Sequence, residues 1–203
     1  YWSSVGKLLL SLPALVSFVP SASPAFLANE GQAIMQATFR LTDGRTSGTA
    51  WLVSAPAENK NLKTTVVVTA AHVFKNLNGE IATLILRKKN DDGSFERLEH
   101  KFSIRENERS LWEQHIRYDI AAIKIALPKE AAVKPIPLNQ LTKAESAGPS
   151  LAPAQPCLIP TFPAQMEGNR AGWPVLRNAT VASFPNAPPT PPPPTTLSSH
   201  AFA

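Results

Sequence analysis

Short apolar or alternating segments follow one another along most of the chain, and turn residues separate them. Alternation of apolar and polar positions over four to eight residues is typical of strands, and Asp-Gly or Asn-Asp clusters between them are typical of tight turns. The pattern predicts strands at 33–41, 48–54, 64–69, 81–87, 94–104 and 119–127, with 133–138 at a sheet edge. No long stretch has helical periodicity, and 106–114 permits at most a short helical turn. The predicted class is all-β, an antiparallel sandwich or barrel.

The composition changes after Gly148. Thirteen of the 20 prolines lie between Pro149 and Pro194, and a central strand tolerates few residues that lack a backbone donor. We therefore predict a linker over 141–163 that leads into a strand, and a further hairpin arm over 172–184. The last stretch, 185–203, is a low-complexity proline-rich tail that we expect to be disordered.

The N-terminal segment has the order of residues found in secretory signals. Lys7 precedes an apolar run from Leu8 to Val19, and small residues follow. The run is short and contains a proline, so stable membrane insertion is not expected, although an uncleaved anchor is the alternative. We expect 1–25 to be a signal peptide, cleavage between Ser23 and Asn29, and a secreted or periplasmic protein.

Charge and cysteine content exclude several classes of function. The net charge is only +5, and the densest basic run, Arg87-Lys88-Lys89, precedes a turn without interleaved aromatic residues. We interpret that run as the solvated end of a hairpin and expect no nucleic-acid partner. The single cysteine, Cys157, excludes an internal disulfide and is expected to be a small buried hydrophobe. No metal-binding motif is present, and no metal or cofactor is predicted.

A histidine lies where an apolar strand ends. His72 follows the run in "TTVVVTAAHVF", and Asp119 stands 47 residues later at the head of another strand, "YDIAAIKI". A carboxylate so close to a buried strand needs a partner, because an unpaired buried charge is costly. From these residues alone, His72 is either a structural core residue or a group presented to chemistry, and Asp119 could simply cap a turn.

Together, "SGTAWLVS", "VVVTAAHVF" and "YDIAAIKI" resemble the first half of a trypsin-like, chymotrypsin-fold serine protease of the bacterial type without disulfides. The resemblance covers roughly 31–184 and implies a complete first barrel over 31–140 and a partial second barrel over 164–184. It implies that His72 is the general base and Asp119 the orienting carboxylate of a Ser-His-Asp triad, with the serine last in the chain. It also implies a protein or peptide substrate and no cofactor.

The nucleophile motif of that family, G-[DN]-S-G-G, does not occur after Asp119, and no glycine follows Gly172. The late serines are Ser183, Ser198 and Ser199, one in a predicted strand and two in the tail. Ser47, between Gly44 and Gly48, precedes the histidine and belongs to an early strand. We therefore expect a protease truncated before its nucleophile, and a chain that is inactive alone.

The other histidines do not match the protease pattern. His100 is expected on a strand surface, His115 in a charged loop, and His200 in the tail. Two alternatives to the protease interpretation stay open. One is a non-catalytic pseudoprotease or binding module on the same barrel, and the other is an exported structural β-protein in which His72 and Asp119 coincide by chance.

Overall fold

The computed structural model describes residues 17–18, 24–56, 63–141, 154 and 156–181. Strands dominate this part, which confirms the all-β class. The strands are, in chain order, β1 Ser17–Phe18, β2 Thr38–Thr42, β3 Ser47–Pro56, β4 Lys63–Thr69, β5 Ile81–Lys89, β6 Phe95–Ser103, β7 Arg105–Glu106, β8 Arg109–Ser110, β9 Glu113–Gln114, β10 Ala121–Ile125, β11 Ile136–Pro137, β12 Pro156–Thr161 and β13 Val175–Thr180. The helical elements are α1 Pro24–Ala37, α2 Ala71–Asn76, and the 3-10 turns Leu138–Gln140 and Pro163–Gln165.

One eight-stranded sheet holds most of these strands. Its order is β6-β5-β2-β3-β4-β10-β9 with antiparallel neighbours, and β11 pairs in parallel with β3. The strand β4 is central, and its valines are buried on both faces. Val67 belongs to the main apolar cluster, whereas Val66 and Val68 belong to a second one. This two-sided burial explains why β4 reads as an unbroken apolar run instead of an alternating one.

The main core lies on one face of this sheet. Large side chains from three strands, from α2 and from the residue after β6 are fully buried there: Phe39, Leu41, Leu52, Phe74, Leu84, Leu86 and Ile104. The ring of Trp112 stacks on Phe74, with 5.5 Å between the ring centroids. Burying a side chain of this size stabilises the fold by about 1.5–3 kcal/mol, so the core anchors α2 as firmly as it anchors the strands.

A smaller sheet, ordered β1-β12-β13, contains the late hairpin. In this hairpin Thr161 pairs with Val175 and Cys157 with Ala179. Cys157 is buried, as expected. The strand β12 lies inside the segment 141–163 that the proline content suggested as a linker. β12 is the middle strand, but β1 pairs only with Cys157 and Leu158. Pro156 is the first residue of β12, and Pro160 lies beyond the short β1, where β12 has a free edge, so both prolines are tolerated.

Arg87 is buried, which corrects the expectation that the basic run Arg87-Lys88-Lys89 is solvated. Its side chain has no exposed surface, whereas Lys88 and Lys89 are exposed. The guanidinium lies over the ring of Phe39 at 4.2 Å and over that of Trp173 at 4.0 Å from the ring centroids. Burial lowers the pKa of Arg87 to about 9, which leaves the group charged at neutral pH.

The Arg87 guanidinium also joins three segments through their carbonyls. It donates to Gly172 O at 3.1 Å, to Met35 O at 3.1 Å and to Thr38 O at 3.2 Å. These carbonyls belong to the connection before β13, to α1 and to β2. The buried charge is therefore solvated by oriented backbone dipoles and aromatic faces instead of water.

A second polar contact fastens the same connection to the large sheet. The Glu167 carboxylate accepts from Arg97 Nη1 at 2.7 and 2.8 Å and lies 3.0 Å from Arg40 Nε. All three side chains are partly buried, so this network is less screened than a surface ion pair. Arg87 and Glu167 together hold the late hairpin against the β2–β5–β6 side of the sheet.

The helix α1 was not expected, because 33–41 was predicted to be a strand. The helix runs to Ala37, and the strand begins only at Thr38. Ile34 and Ala37 are buried at helical spacing, and the Thr38 hydroxyl donates to Ile34 O at 2.7 Å. A short apolar run fits either element by periodicity alone, and packing against the sheet decides in favour of the helix here.

Several sequence predictions fall largely outside the described residues. The signal segment 1–25 is described only at 17–18 and 24–25, and the tail 185–203 is not described. The expectations about export and about the tail therefore stay predictions. Within the described residues, neither helix is both long enough and apolar enough to span a bilayer.

Replacing Arg87 with methionine is predicted to destabilise the protein by about 3 kcal/mol, because three buried carbonyls lose their donor. Urea unfolding followed by circular dichroism measures this. Lys88→Met is the matched control: the Lys88 side chain is exposed and pairs with Glu96 at 3.0 Å on the surface, so its loss should lower stability far less than the loss of Arg87. Equal effects of the two substitutions would contradict the assigned role of Arg87.

Candidate active site

His72 is presented by the short helix α2, directly after the central strand. The strand β4 ends at Thr69, Ala70 is extended, and α2 begins at Ala71. Ala71 and Phe74 are fully buried and fix one face of the helix in the core. His72 lies on the other face, with 62% of its side chain exposed. The imidazole is therefore accessible while the backbone that carries it is anchored.

Asp119 binds His72 twice. One carboxylate oxygen accepts the backbone N–H of His72 at 2.8 Å, and the other contacts the imidazole Nδ1. The first bond satisfies a free N–H at the start of α2, where Ala70 offers no side-chain cap. The imidazole hydrogen bond and then the backbone one lower the pKa of Asp119. The carboxylate is therefore ionised near neutral pH and holds the proton of His72 on Nδ1.

Arg105 holds the other end of α2. Its guanidinium donates to Phe74 O at 2.8 Å, Leu77 O at 2.9 Å and Gly79 O at 2.6 Å. The last carbonyls of a helix have no partner within the helix, and a cation at this end also interacts favourably with the helix dipole. α2 is thus bound by a carboxylate at its start and by a guanidinium at its end.

Asp43, in the turn between β2 and β3, fastens the segment that follows α2. Its carboxylate accepts the N–H groups of Arg45 at 2.8 Å, Thr46 at 2.7 Å and Asn78 at 2.7 Å. The Thr46 hydroxyl in turn donates to Asn76 O at 3.2 Å. Burial alone would raise the pKa of Asp43, but these N–H groups outweigh it and hold the pKa far below its ordinary value.

Gly48 lets β3 approach α2. A Cβ atom at this position would lie 2.6 Å from Val73 Cγ2, a separation that real side chains do not show. Val73 is β-branched and has little freedom to move away. The Gly44–Gly48 segment, which looks like a nucleophile motif at first sight, is therefore explained in part by close packing beside His72.

A cavity of about 420 Å³ opens beside the pair. His72 and Asp119 lie on its wall, and the rest of the lining comes from β3, β4 and the residues that flank the pair: Ser47, Gly48, Thr49, Trp51, Val68, Thr69, Ala70, Val73 and Ile120. The lining is mostly small or apolar, with Trp51 as its largest side chain. The space is large enough for a few residues of an extended peptide.

The other histidines and the late serines were also considered from the sequence. His100 lies half-buried on β6 and stacks near Phe102. Ser183, Ser198, Ser199 and His200 lie outside the described residues. In the described part of the chain, no group of three or more His, Cys, Asp or Glu side chains has the arrangement of a metal site.

His115 was set aside on the sequence because it lies in a charged loop, but its side chain is buried, with 5% exposed. Its Nδ1 accepts the N–H groups of Arg117 and Tyr118, both at 3.0 Å. Burial, and then the charge of Arg117, lower the pKa of His115. The only sequence signal was its spacing of four residues from Asp119, which does not predict burial.

His72 and Asp119 lie at adjacent ends of antiparallel strands, beside an open cavity. The same region of the chain matches a known protein family. The Trypsin family model matches residues 49–186, which is more than half of the chain. The chain belongs to the trypsin family. This trypsin-family chain has the all-β, chymotrypsin-like fold predicted from its motifs, and the match spans both residues of the pair and the late hairpin. Searches of curated proteins and of solved structures gave no match.

Replacing Asp43 with asparagine is predicted to lower stability by about 1–2 kcal/mol at pH 7, since hydrogen bonds to a charged acceptor are the stronger ones. The folded pKa of Asp43 lies below its unfolded value of about 3.9. Its stabilisation is therefore complete above that value and is lost as the pH falls below it. Unfolding at several pH values should show the two proteins converging in acid.

Asp92→Asn is the control for this comparison, because Asp92 lies in an exposed turn and accepts the Ser94 N–H. Asp92→Asn should lower the free energy of unfolding less than Asp43→Asn does at every pH. A difference between wild type and Asp43→Asn that does not change with pH would contradict the assigned ionisation.

Gly48→Ala is predicted to cost about 1–3 kcal/mol, because the new methyl group overlaps Val73 in a packed site. A double-mutant cycle tests the contact. Val73→Ala removes the obstructing atoms, so Gly48→Ala should cost much less in the Val73→Ala background. Additive effects would show that the cost arises from some other neighbour.

Proposed function

We propose that this trypsin-family chain provides the base and the orienting carboxylate of a serine endopeptidase. The observation that carries the proposal is the contact between His72 Nδ1 and the Asp119 carboxylate on the wall of the cavity. With its proton on Nδ1, the imidazole has a free lone pair on Nε2. That lone pair is the acceptor a serine hydroxyl needs when it attacks a carbonyl.

In the proposed mechanism, His72 takes the proton of the nucleophilic serine and later gives it to the leaving amine. Asp119 holds the tautomer and stabilises the imidazolium that forms transiently. The second bond of Asp119, to the His72 N–H, fixes the carboxylate relative to the helix that carries the base. The substrate is a protein or peptide, of which an extended stretch would lie along the cavity.

The nucleophile is not identified in this sequence. Within the described residues His72 makes hydrogen bonds to Asp119 and none to a serine hydroxyl. Ser47 lines the same cavity but precedes the histidine, and the family has its serine last. We therefore assign His72 and Asp119 to the proposed site and leave its third member open.

A non-catalytic binding module is the second candidate. The observation that favours it is the same lack of a serine hydroxyl bonded to His72 in the described part of the chain. The cavity would then bind an extended peptide through Trp51, Val68 and Ile120 without cleaving it. The two candidates differ in whether His72 activates a nucleophile.

Labelling with a fluorophosphonate, which reacts with activated serines, distinguishes the endopeptidase from the binding module. The probe is applied to the full-length product of the gene. We expect labelling and casein hydrolysis that His72→Ala abolishes. Asp119→Asn should lower kcat about 10⁴-fold, the fall typical of losing the triad carboxylate. The 203 residues alone should show neither activity.

His100→Ala is the matched control, since it removes an imidazole from the same sheet without touching the cavity. It should leave labelling unchanged. Labelling that survives His72→Ala would contradict the proposed base. A protein that binds peptides but is never labelled would support the binding module, and loss of labelling in Ser47→Ala would identify an unexpected nucleophile.

A further inference from the structure

The loop that carries Asp119 is built around the buried imidazole of His115. The Nδ1 of His115 accepts two successive backbone N–H groups, those of Arg117 and Tyr118. The ring also stacks on Tyr118, with 4.7 Å between the centroids. Among residues 115–119, His115 alone is buried. One buried ring therefore organises the backbone immediately before Asp119.

Backbone hydrogen bonds close the same loop on either side of Asp119. The His115 N–H donates to Ile120 O at 2.8 Å, and the Ile120 N–H donates to Tyr118 O at 2.8 Å. Asp119 therefore lies between two residues whose backbone positions depend on His115. Asp119 reaches α2 through its side chain, so a change in the backbone of this loop would move the carboxylate relative to α2.

The contacts of His115 require one particular form of the imidazole. Two N–H donors point at Nδ1, so this nitrogen must offer its lone pair and the proton must be on Nε2. His72 has the opposite arrangement, because its Nδ1 carries the proton that Asp119 accepts. The two histidines of this region are thus held as different tautomers by different partners.

We propose that His115 is a positioning residue for the candidate active site: it shapes the loop 115–120 so that Asp119 reaches both donors of His72. The inference rests on the proposed roles of His72 and Asp119 and adds a residue to that site. His115 does not touch the reacting groups. Its effect passes through the backbone of the loop and is visible in the tautomer of His72.

The test reads the tautomer of each of the four histidines in a long-range proton–nitrogen NMR spectrum of the 203-residue protein above pH 8. In the wild type we expect His72 as the Nδ1–H form and His115 as the Nε2–H form. The variant His115→Phe keeps an aromatic ring but has no acceptor. In this variant His72 should change from the Nδ1–H form to the mixture of both tautomers that is typical of a free imidazole.

His115→Asn is the conservative variant, because its Oδ1 branches at the same point as the histidine Nδ1 and can accept the same two N–H groups. It should restore the Nδ1–H form of His72. His100→Phe is the matched control and should leave His72 unchanged. A merely structural role for His115 would lower stability in both His115 variants without this difference in tautomer.

Two results would overturn the inference: an Nδ1–H form of His115 in the wild type, or an unchanged His72 in folded His115→Phe. If His115→Phe does not fold, the wild-type tautomer of His115 and the His115→Asn spectrum still decide. Asp119→Asn separates this inference from the proposed function. If His72 is Nδ1–H in the wild type and stays so in Asp119→Asn, the proposed pair itself fails, whatever His115 does.

Discussion

The register between β4 and β10 is the constraint on which the candidate site depends. Thr69 pairs with Ala121 on one side and with Ala50 on the other. His72 comes three residues after Thr69, and Asp119 two residues before Ala121. Antiparallel pairing therefore delivers both to the same end of the sheet. Ala121 and Ile123 of β10 pack into the main core and Ala122 into the second cluster, so a slip of one residue would exchange the side chains that face the two clusters. The same slip would move Asp119 away from His72, so the packing of β10 and the formation of the pair depend on one register.

The pair itself contributes little to its own geometry. The side chains of His72 and Asp119 are 62% and 56% exposed, and side-chain pairs so open to water are worth at most about 1 kcal/mol even when both groups are charged. A six-residue helix such as α2 is also too short to be stable alone. The geometry must come from the surroundings: the buried face of α2, the guanidinium of Arg105, and the turns built by Asp43 and His115. These last two use the same device, a side-chain acceptor for the N–H groups two and three residues later.

Much of this could be predicted from the sequence because it is encoded locally. Strand β4, the turn at Asp43 and the motifs around His72 and Asp119 are all visible within a few residues. The burial of Arg87 was not predicted, because its partners lie far away in the sequence. Arg87 is covered by Trp173 and bonded to Gly172, 85 residues later, and no local pattern reports such a partner. His115 escaped notice because its bonds go to backbone N–H groups, which every residue but proline carries.

Whether a residue of the site could be predicted from the sequence depends on its role. Motifs reveal groups that do chemistry, since the reaction restricts their identity. Residues that hold those groups in place need only a hydrogen-bond acceptor, a hydrogen-bond donor or a missing Cβ at the right point. Several residue types can provide such an acceptor or donor, so no single sequence pattern identifies these residues. Asp43, Gly48, Arg105 and His115 belong to this second kind. Because an exposed base is useful only when it is already oriented before the substrate arrives, the role that we propose for His72 requires these four residues as well as Asp119.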